Sequence, residues 1–260
     1  MKIWAVANQK GGVGKTTTAV SVAGWLAERG HRVLLVDLDP HASLTEYFGV
    51  DIQDPPPGTY DCFAGKARDL AALAIDTGVE NLRLVPGSAN LATLERQHGT
   101  RKGMGRVLKD CLKSDAPYDY AILDCPPTLG ILMVNALAAC DCLLIPTQTE
   151  PMALRGLEGM LRTLAMISRA RGIQLKHLIV PTLFDRRTRA GMDSLRELER
   201  RHAARVWDDA IPVDTLLREA SRSKLPLNKI DPHARGAVAY KLLLDAALEL
   251  DAQPVQERAA

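Results

Sequence analysis

The run Gly11-Gly12-Val13-Gly14-Lys15-Thr16, preceded by Gln9 and Lys10, carries the residue types that hold a polyphosphate. Glycines let successive backbone N–H groups turn inward on phosphate oxygens. A following helix adds its N-terminal partial charge. In such a loop Lys15 reaches the β- and γ-phosphates and the Thr16 hydroxyl ligates Mg2+. The run departs once from the usual G-x-x-x-x-G-K-[ST] pattern, since Gln9 stands where the first glycine belongs. Lys10 is the unusual residue, because a nucleotide held by Lys15 does not need a second loop lysine. Three carboxylates extend the set: Asp37 and Asp39 follow one apolar run, and Asp124 ends another.

Apolar periodicity supplies the elements that must position these groups. Residues 3–7 are β-prone and lead into the glycine turn. Residues 16–29 then place Val20, Ala23, Leu26 and Ala27 on one helical face, and Gly30 stops the helix. Continuous apolar strands at 33–36, 120–123 and 142–145, the last ended by Pro146, predict burial on both faces, as in a parallel sheet. Further strands are predicted at 82–85 and 177–184. Helices are predicted at 69–75, 91–97, 152–169, 194–204, 215–222 and 234–250. Within 152–169, Leu154, Leu157, Leu161 and Leu164 share a face. Residues 51–60, with three consecutive prolines, read as a loop. The alternation predicts an α/β fold: a doubly wound, mostly parallel sheet with helices on both faces. Ligands bind such sheets at the carboxyl ends of strands, where residues 10–17, Asp37, Asp39 and Asp124 all fall. One domain is expected over 1–250, with 251–260 a flexible tail.

Composition narrows the classes further. A net charge of +2 gives no global field toward nucleic acid or membrane, so such binding needs a local patch. No apolar run is long enough to span a bilayer and no secretory signal is visible, so the cytoplasm is the expected compartment. Five cysteines form no C-x-x-C pair and read as reduced core thiols. Six scattered histidines lack metal-ligand spacing.

Lys-Gly-Gly-Val-Gly-Lys-Thr-Thr, residues 10–17, resembles the deviant Walker A motif of the ParA/MinD family. The resemblance continues through Val-Asp-Leu-Asp-Pro at 36–40, Ile-Leu-Asp-Cys-Pro-Pro at 122–127, residues 182–188 and 211–212, and the segments 220–226 and 231–240. It implies a P-loop ATPase fold and an ATP-dependent homodimerisation switch. Hydrolysis would be slow and partner-stimulated, and would partition plasmids or chromosomes or position chemotaxis arrays. Lys10 would act across the dimer on the partner's nucleotide, Asp39 would position the attacking water, and Asp37 and Asp124 would support Mg2+ beside Thr16. ATP would lie on Lys10, Gly11, Gly12, Val13, Gly14, Lys15, Thr16 and Thr17, with Thr182 and Pro212 on its base side. The resemblance also implies a ParB-like or array-linking adaptor, and association with the nucleoid or a cell pole. Asp-Pro-His-Ala-Ser-Leu-Thr, 39–45, departs from the Asp-Pro-Gln-Gly-Asn of DNA-partition members and resembles the chemotaxis-cluster ParC subgroup.

Residues 186–205 hold seven arginines against three acidic residues, a local +4. Arg186, Arg187, Arg189, Arg200, Arg201 and Arg205, joined by Arg222 and Lys224, are candidate contacts for non-specific DNA. The competing reading is a solvated helix with internal pairs such as Glu197–Arg201. The tail lacks the basic amphipathic helix that MinD-like membrane binding needs. Two other functional readings stand beside the partition switch: a MinD-like positioning protein, and a metabolic P-loop enzyme of the cobyrinic acid diamide synthase class. Those synthases lack the full 10–17 run and usually carry additional domains.

Overall fold

The computed structural model describes residues 1–98, 104–113 and 115–254. Its elements run β1 (Lys2–Val6), α1 (Lys15–Glu28), β2 (Val33–Asp37), α2 (Ser43–Tyr47), α3 (Thr59–Phe63), β3 (Ile75–Asp76), β4 (Leu82–Val85), α4 (Asn90–His98) and α5 (Val107–Cys111). Then follow β5 (Tyr120–Asp124), α6 (Ile131–Ala139), β6 (Cys142–Gln148), α7 (Pro151–Arg171), β7 (Lys176–Thr182), α8 (Arg189–His202), α9 (Leu216–Arg222), α10 (Leu227–Ile230) and α11 (Arg235–Ala252).

The strands order as β3-β4-β2-β5-β1-β6-β7, parallel throughout except for the β3–β4 pair. Side chains alternate between two cores, which is why these strands read as continuous apolar runs. Ala5, Leu34, Val36, Leu123 and Leu143 face the layer built from α4, α6 and α7. Trp4, Val6, Val33, Leu35, Ile122 and Leu144 face α1 and α11. Helix α1 is buried on nearly every side because α10 and α11 cover it. Gly24 is required there, since a β-carbon would lie 2.5 Å from the Pro226 ring.

Several expectations shift. Residues 69–75 are not a helix: Asp69 Oδ1 accepts the Ala71 N–H, a single 3-10 turn covers Ala71–Leu73, and Ile75 turns outward to pair with Leu84. Strand β6 runs through Pro146 to Gln148 rather than stopping there. Its pairing with β1 spans only Cys142–Leu144, so the proline lies past that ladder. Helix α11 continues to Ala252, and Asp251, assigned above to a tail, is buried and pairs with Lys2. Residues 255–260 lie outside the described residues.

The chain leaves β1 toward one edge of the sheet and β6 toward the other. The tips of β1, β5 and β2 therefore sit at the switch point where such sheets place ligands.

Candidate active site

The loop after β1 opens a cavity of about 960 Å³ lined by Gly11, Gly12, Gly14, Lys15, Thr16, Thr17, Asp39 and Thr182. Gly12 (φ 73°) and Gly14 (φ 86°) hold left-handed backbone that turns the loop into the start of α1. A β-carbon on Gly11, Gly12 or Gly14 would meet nothing within 4 Å, so the space above the loop is open. Helix α1 has no side-chain cap and no acidic residue in its first turn, leaving its first N–H groups for an anion. Lys15 Nζ donates to the Lys10 carbonyl across the loop at 3.0 Å. Burial lowers the Lys15 pKa, against the charges of Asp124 and Asp39 that raise it. Val13 is fully buried, and its carbonyl accepts the Thr182 hydroxyl at 2.9 Å, tying the loop to β7.

Thr16 Oγ1 donates to Asp124 Oδ2 at 2.6 Å. The other Asp124 oxygen is buried without a partner. Burial, then the charge of Asp37, pushes the Asp124 carboxyl well above the usual range. Asp37 is also fully buried, which raises its pKa to about 6 although Thr45 donates to it from both N and Oγ1. Asp37 Oδ1 accepts the Asp39 N–H at 3.0 Å. Asp39 lies further out, its side chain 13% exposed. Two buried carboxylates, an orphaned carboxylate oxygen and a hydroxyl form a hard-oxygen donor set of the kind Mg2+ takes. No group of three or more His, Cys, Asp or Glu able to hold a metal exists among the described residues, so a cation here would also need ligands from a bound molecule.

Lys10 points elsewhere. Its Nζ pairs with Glu150 and donates to Gln148 Oε1 at 3.3 Å, outside the cavity lining. Pro212 lines a second cavity of about 590 Å³ with Phe184, Arg186, Arg187 and Val213, and Ile211 and Val213 line the phosphate-loop cavity. Leu183 (φ 53°) and Ala42 (φ 53°) are non-glycine residues in left-handed backbone beside this site, a strain of about 1–3 kcal/mol each.

The arginines do not form one patch. Arg187 pairs with Asp185, Arg189 with Asp193, Arg200 and Arg201 with Glu197, Arg201 also with Glu158, and Arg222 with Glu219. Arg186, Arg205 and Lys224 make no ion pair among the described residues. Arg186, Arg205 and Arg222 line three different cavities. Sequence reading missed Thr45, which serves Asp37 from eight residues away, Gln148, Glu150 and Tyr240, which lie far along the chain from their partners, and Arg218, which lines the cavity.

A family model described as an AAA domain (AAA_31) matches residues 1–177. The sporulation initiation inhibitor protein Soj of Bacillus subtilis is 36% identical over 260 residues, covering 96% of this chain and 98% of that one. Chromosome partitioning protein ParA of Caulobacter vibrioides is 34% identical over 247 residues, covering 92% and 91%. A crystal structure described as cobyrinic acid a,c-diamide synthase from Mycobacterium smegmatis, with a bound ATP analogue and magnesium, is 35% identical with a TM-score of 0.82 and covers 96% of this chain and 95% of that one. Likeness along nearly the whole of both Soj and ParA, on a fold whose phosphate loop stands open at the switch point of the sheet, makes this chain a member of the ParA/MinD family of P-loop ATPases.

Proposed function

We propose that the chain is an ATP-operated dimerisation switch whose slow, partner-stimulated hydrolysis partitions or positions a cellular cargo. The observation that carries this is Lys10. It belongs to the phosphate loop yet points out of its own phosphate cavity, toward Glu150 and Gln148. A lysine placed there can serve the nucleotide of a second copy.

ATP binds on the amides of residues 11–16. Lys15 exchanges the Lys10 carbonyl for phosphate oxygen, a stronger, charge-assisted partner. Mg2+, when bound with the nucleotide beside Thr16, Asp37 and Asp124, supplies charge compensation for phosphoryl transfer. Asp39 orients the attacking water from the mouth of the cavity. Lys10 of the second copy adds the remaining positive charge, so the γ-phosphate becomes part of the interface and its loss opens the dimer.

Soj and ParA support chromosome or plasmid partition as the cargo class, with a ParB-like adaptor as the stimulating partner. The 39–45 segment favours an array-linking adaptor at a pole as the second reading. The compartment is the cytoplasm; no described helix is long and apolar enough to cross a membrane. Non-specific DNA is the track, contacted first by Arg186, Arg205 and Lys224, whose charges carry no ion-pair partner among the described residues. The paired arginines of α8 contribute less.

Light scattering on the Asp39→Ala protein tests the switch. With ATP this variant is expected to accumulate as a dimer, and with ADP to stay monomeric, while hydrolysis falls about 100-fold or more. Added DNA should be bound at low salt and released at high salt. A dimer that ignores DNA moves the track to a pole or a protein array. A monomer in ATP removes the role of Lys10 and favours a metabolic P-loop enzyme.

The buried carboxylates give a second test. An Asp whose folded pKa lies above its unfolded value destabilises the fold once ionised. That cost is absent below the unfolded value, about 3.9, and grows as pH rises through the folded one. Asp124→Asn replaces this charge by an amide whose oxygen can keep the Thr16 bond. Without nucleotide the variant should melt higher than wild type at pH 8, by about 2–4 °C for each kcal/mol regained, and the difference should shrink toward pH 5. The thermal shift given by ATP with Mg2+ should be lost. A lower melting point at pH 8 would show that Asp124 is not a strained ion.

A further inference from the structure

His41 sits on the carboxylate that the switch reading assigns to the attacking water. Its Nδ1 lies 2.9 Å from Asp39 Oδ1, and its backbone N–H donates to the same oxygen at 2.9 Å. No other side chain among the described residues hydrogen-bonds that carboxylate. The ring is 79% exposed against 13% for Asp39, so the imidazole lies on the solvent side of the acid and lines the same cavity. Backbone geometry holds it there. Ala42 N–H donates to the Asp39 carbonyl at 2.8 Å, and Ala42 adopts left-handed backbone at φ 53° before α2 begins. The Asp39 N–H is in turn fixed on Asp37 Oδ1.

We infer that His41 is a positioning residue for hydrolysis: it occupies Asp39 Oδ1 and thereby leaves Oδ2 as the oxygen that receives the attacking water. The inference rests on the role given to Asp39 above. A carboxylate whose only other tether is one backbone N–H can rotate about its Cβ–Cγ bond and offer either oxygen. With the ring in place, one oxygen is saturated and the other is directed. Nδ1 makes this hydrogen bond as a donor, with the proton on Nδ1 facing the carboxylate oxygen. Ser43, Glu46, Arg218 and Arg222 line the cavity around the ring, and none of them hydrogen-bonds Asp39 in its stead.

The test compares His41→Ala, His41→Asn and Asp39→Ala in the full chain, by phosphate release, by ATP binding and by light scattering with ATP. An Asn side chain places its amide N–H where the imidazole Nδ1–H stood. His41→Ala should lower kcat about tenfold, with ATP affinity and ATP-dependent dimerisation within twofold of wild type. His41→Asn should restore most of the rate. In an Asp39→Ala background, loss of His41 should have no further effect, as expected when one residue acts only through the other. Wild-type kcat in His41→Ala, failure of Asn to rescue, or a loss carried by ATP affinity would overturn the inference while leaving Asp39 in place. Full turnover in Asp39→Ala would overturn the Asp39 assignment and this inference with it.

Discussion

Lys15→Ala should bind ATP at least about 100-fold more weakly than wild type, and with binding should go dimerisation and hydrolysis. The ammonium group is buried at the first turn of α1, where burial works against its charge and no carboxylate lies within ion-pair distance. Its one hydrogen bond is to the Lys10 carbonyl. A cation kept in such a place, with no direct ion pair among the described residues, is stabilised once phosphate arrives. A charge-assisted bond to phosphate contributes about 1.5–3 kcal/mol, and losing two such bonds accounts for about 100-fold or more. Removal of the side chain costs the empty protein little, because it deletes one hydrogen bond and relieves the burial of a charge. Melting temperature without nucleotide should therefore stay close to wild type. Calorimetric titration with ATP and Mg2+ reads the binding, and an affinity within fivefold of wild type would move the phosphate site away from residues 10–17.

The phosphate loop could be read from sequence because its chemistry is local. Glycines, lysine and threonine act within one turn of backbone, and the flanking apolar runs announce the strand and helix that hold them. Strand-tip carboxylates were readable for the same reason, since Asp37 and Asp124 end runs whose two-sided burial makes them continuously apolar. Contacts made across the fold left no such trace. Glu150 and Gln148 meet Lys10 across about 140 residues, and nothing in either segment marks the other. Thr45 satisfies Asp37 from a helix of five residues, too short to show a period. Helix α6 escaped notice because it is apolar on nearly all sides, so its sequence carries no amphipathic stripe.

The arginine-rich stretch shows the reverse failure. Counting charges along 186–205 gave an excess, but a helix brings residues three and four apart together. Glu197 therefore accepts from both Arg200 and Arg201, which lower its pKa to about 2; the pairs fix where the charge sits, while the local +4, which already counts Glu197, is unchanged.

Lys10→Ala should leave ATP affinity within twofold of wild type and lower dimer-dependent hydrolysis by about 100-fold or more, the loss expected when a preorganised charge at a developing anion is removed. In one subunit Lys10 contributes nothing to its own cavity, which is why binding survives. In the resting chain it is engaged by Glu150 and Gln148, and it must leave both before it can reach a second copy. That pair is worth little: its side chains are 27% and 41% exposed, and ion pairs so wetted contribute about 0–1 kcal/mol. The latch therefore sets a threshold for dimerisation without blocking it. Glu150→Gln should shift the ATP concentration for half-maximal dimer downward by about fivefold at most, and less at high salt, where the wild-type pair is already screened. The two substitutions thus act in opposite directions on one event. Hydrolysis that rises linearly with Lys10→Ala protein concentration, as for an independent monomer, while wild type rises more steeply, would place the lysine in the partner's site. Equal, concentration-independent specific activity in both proteins would return Lys10 to an ordinary loop residue.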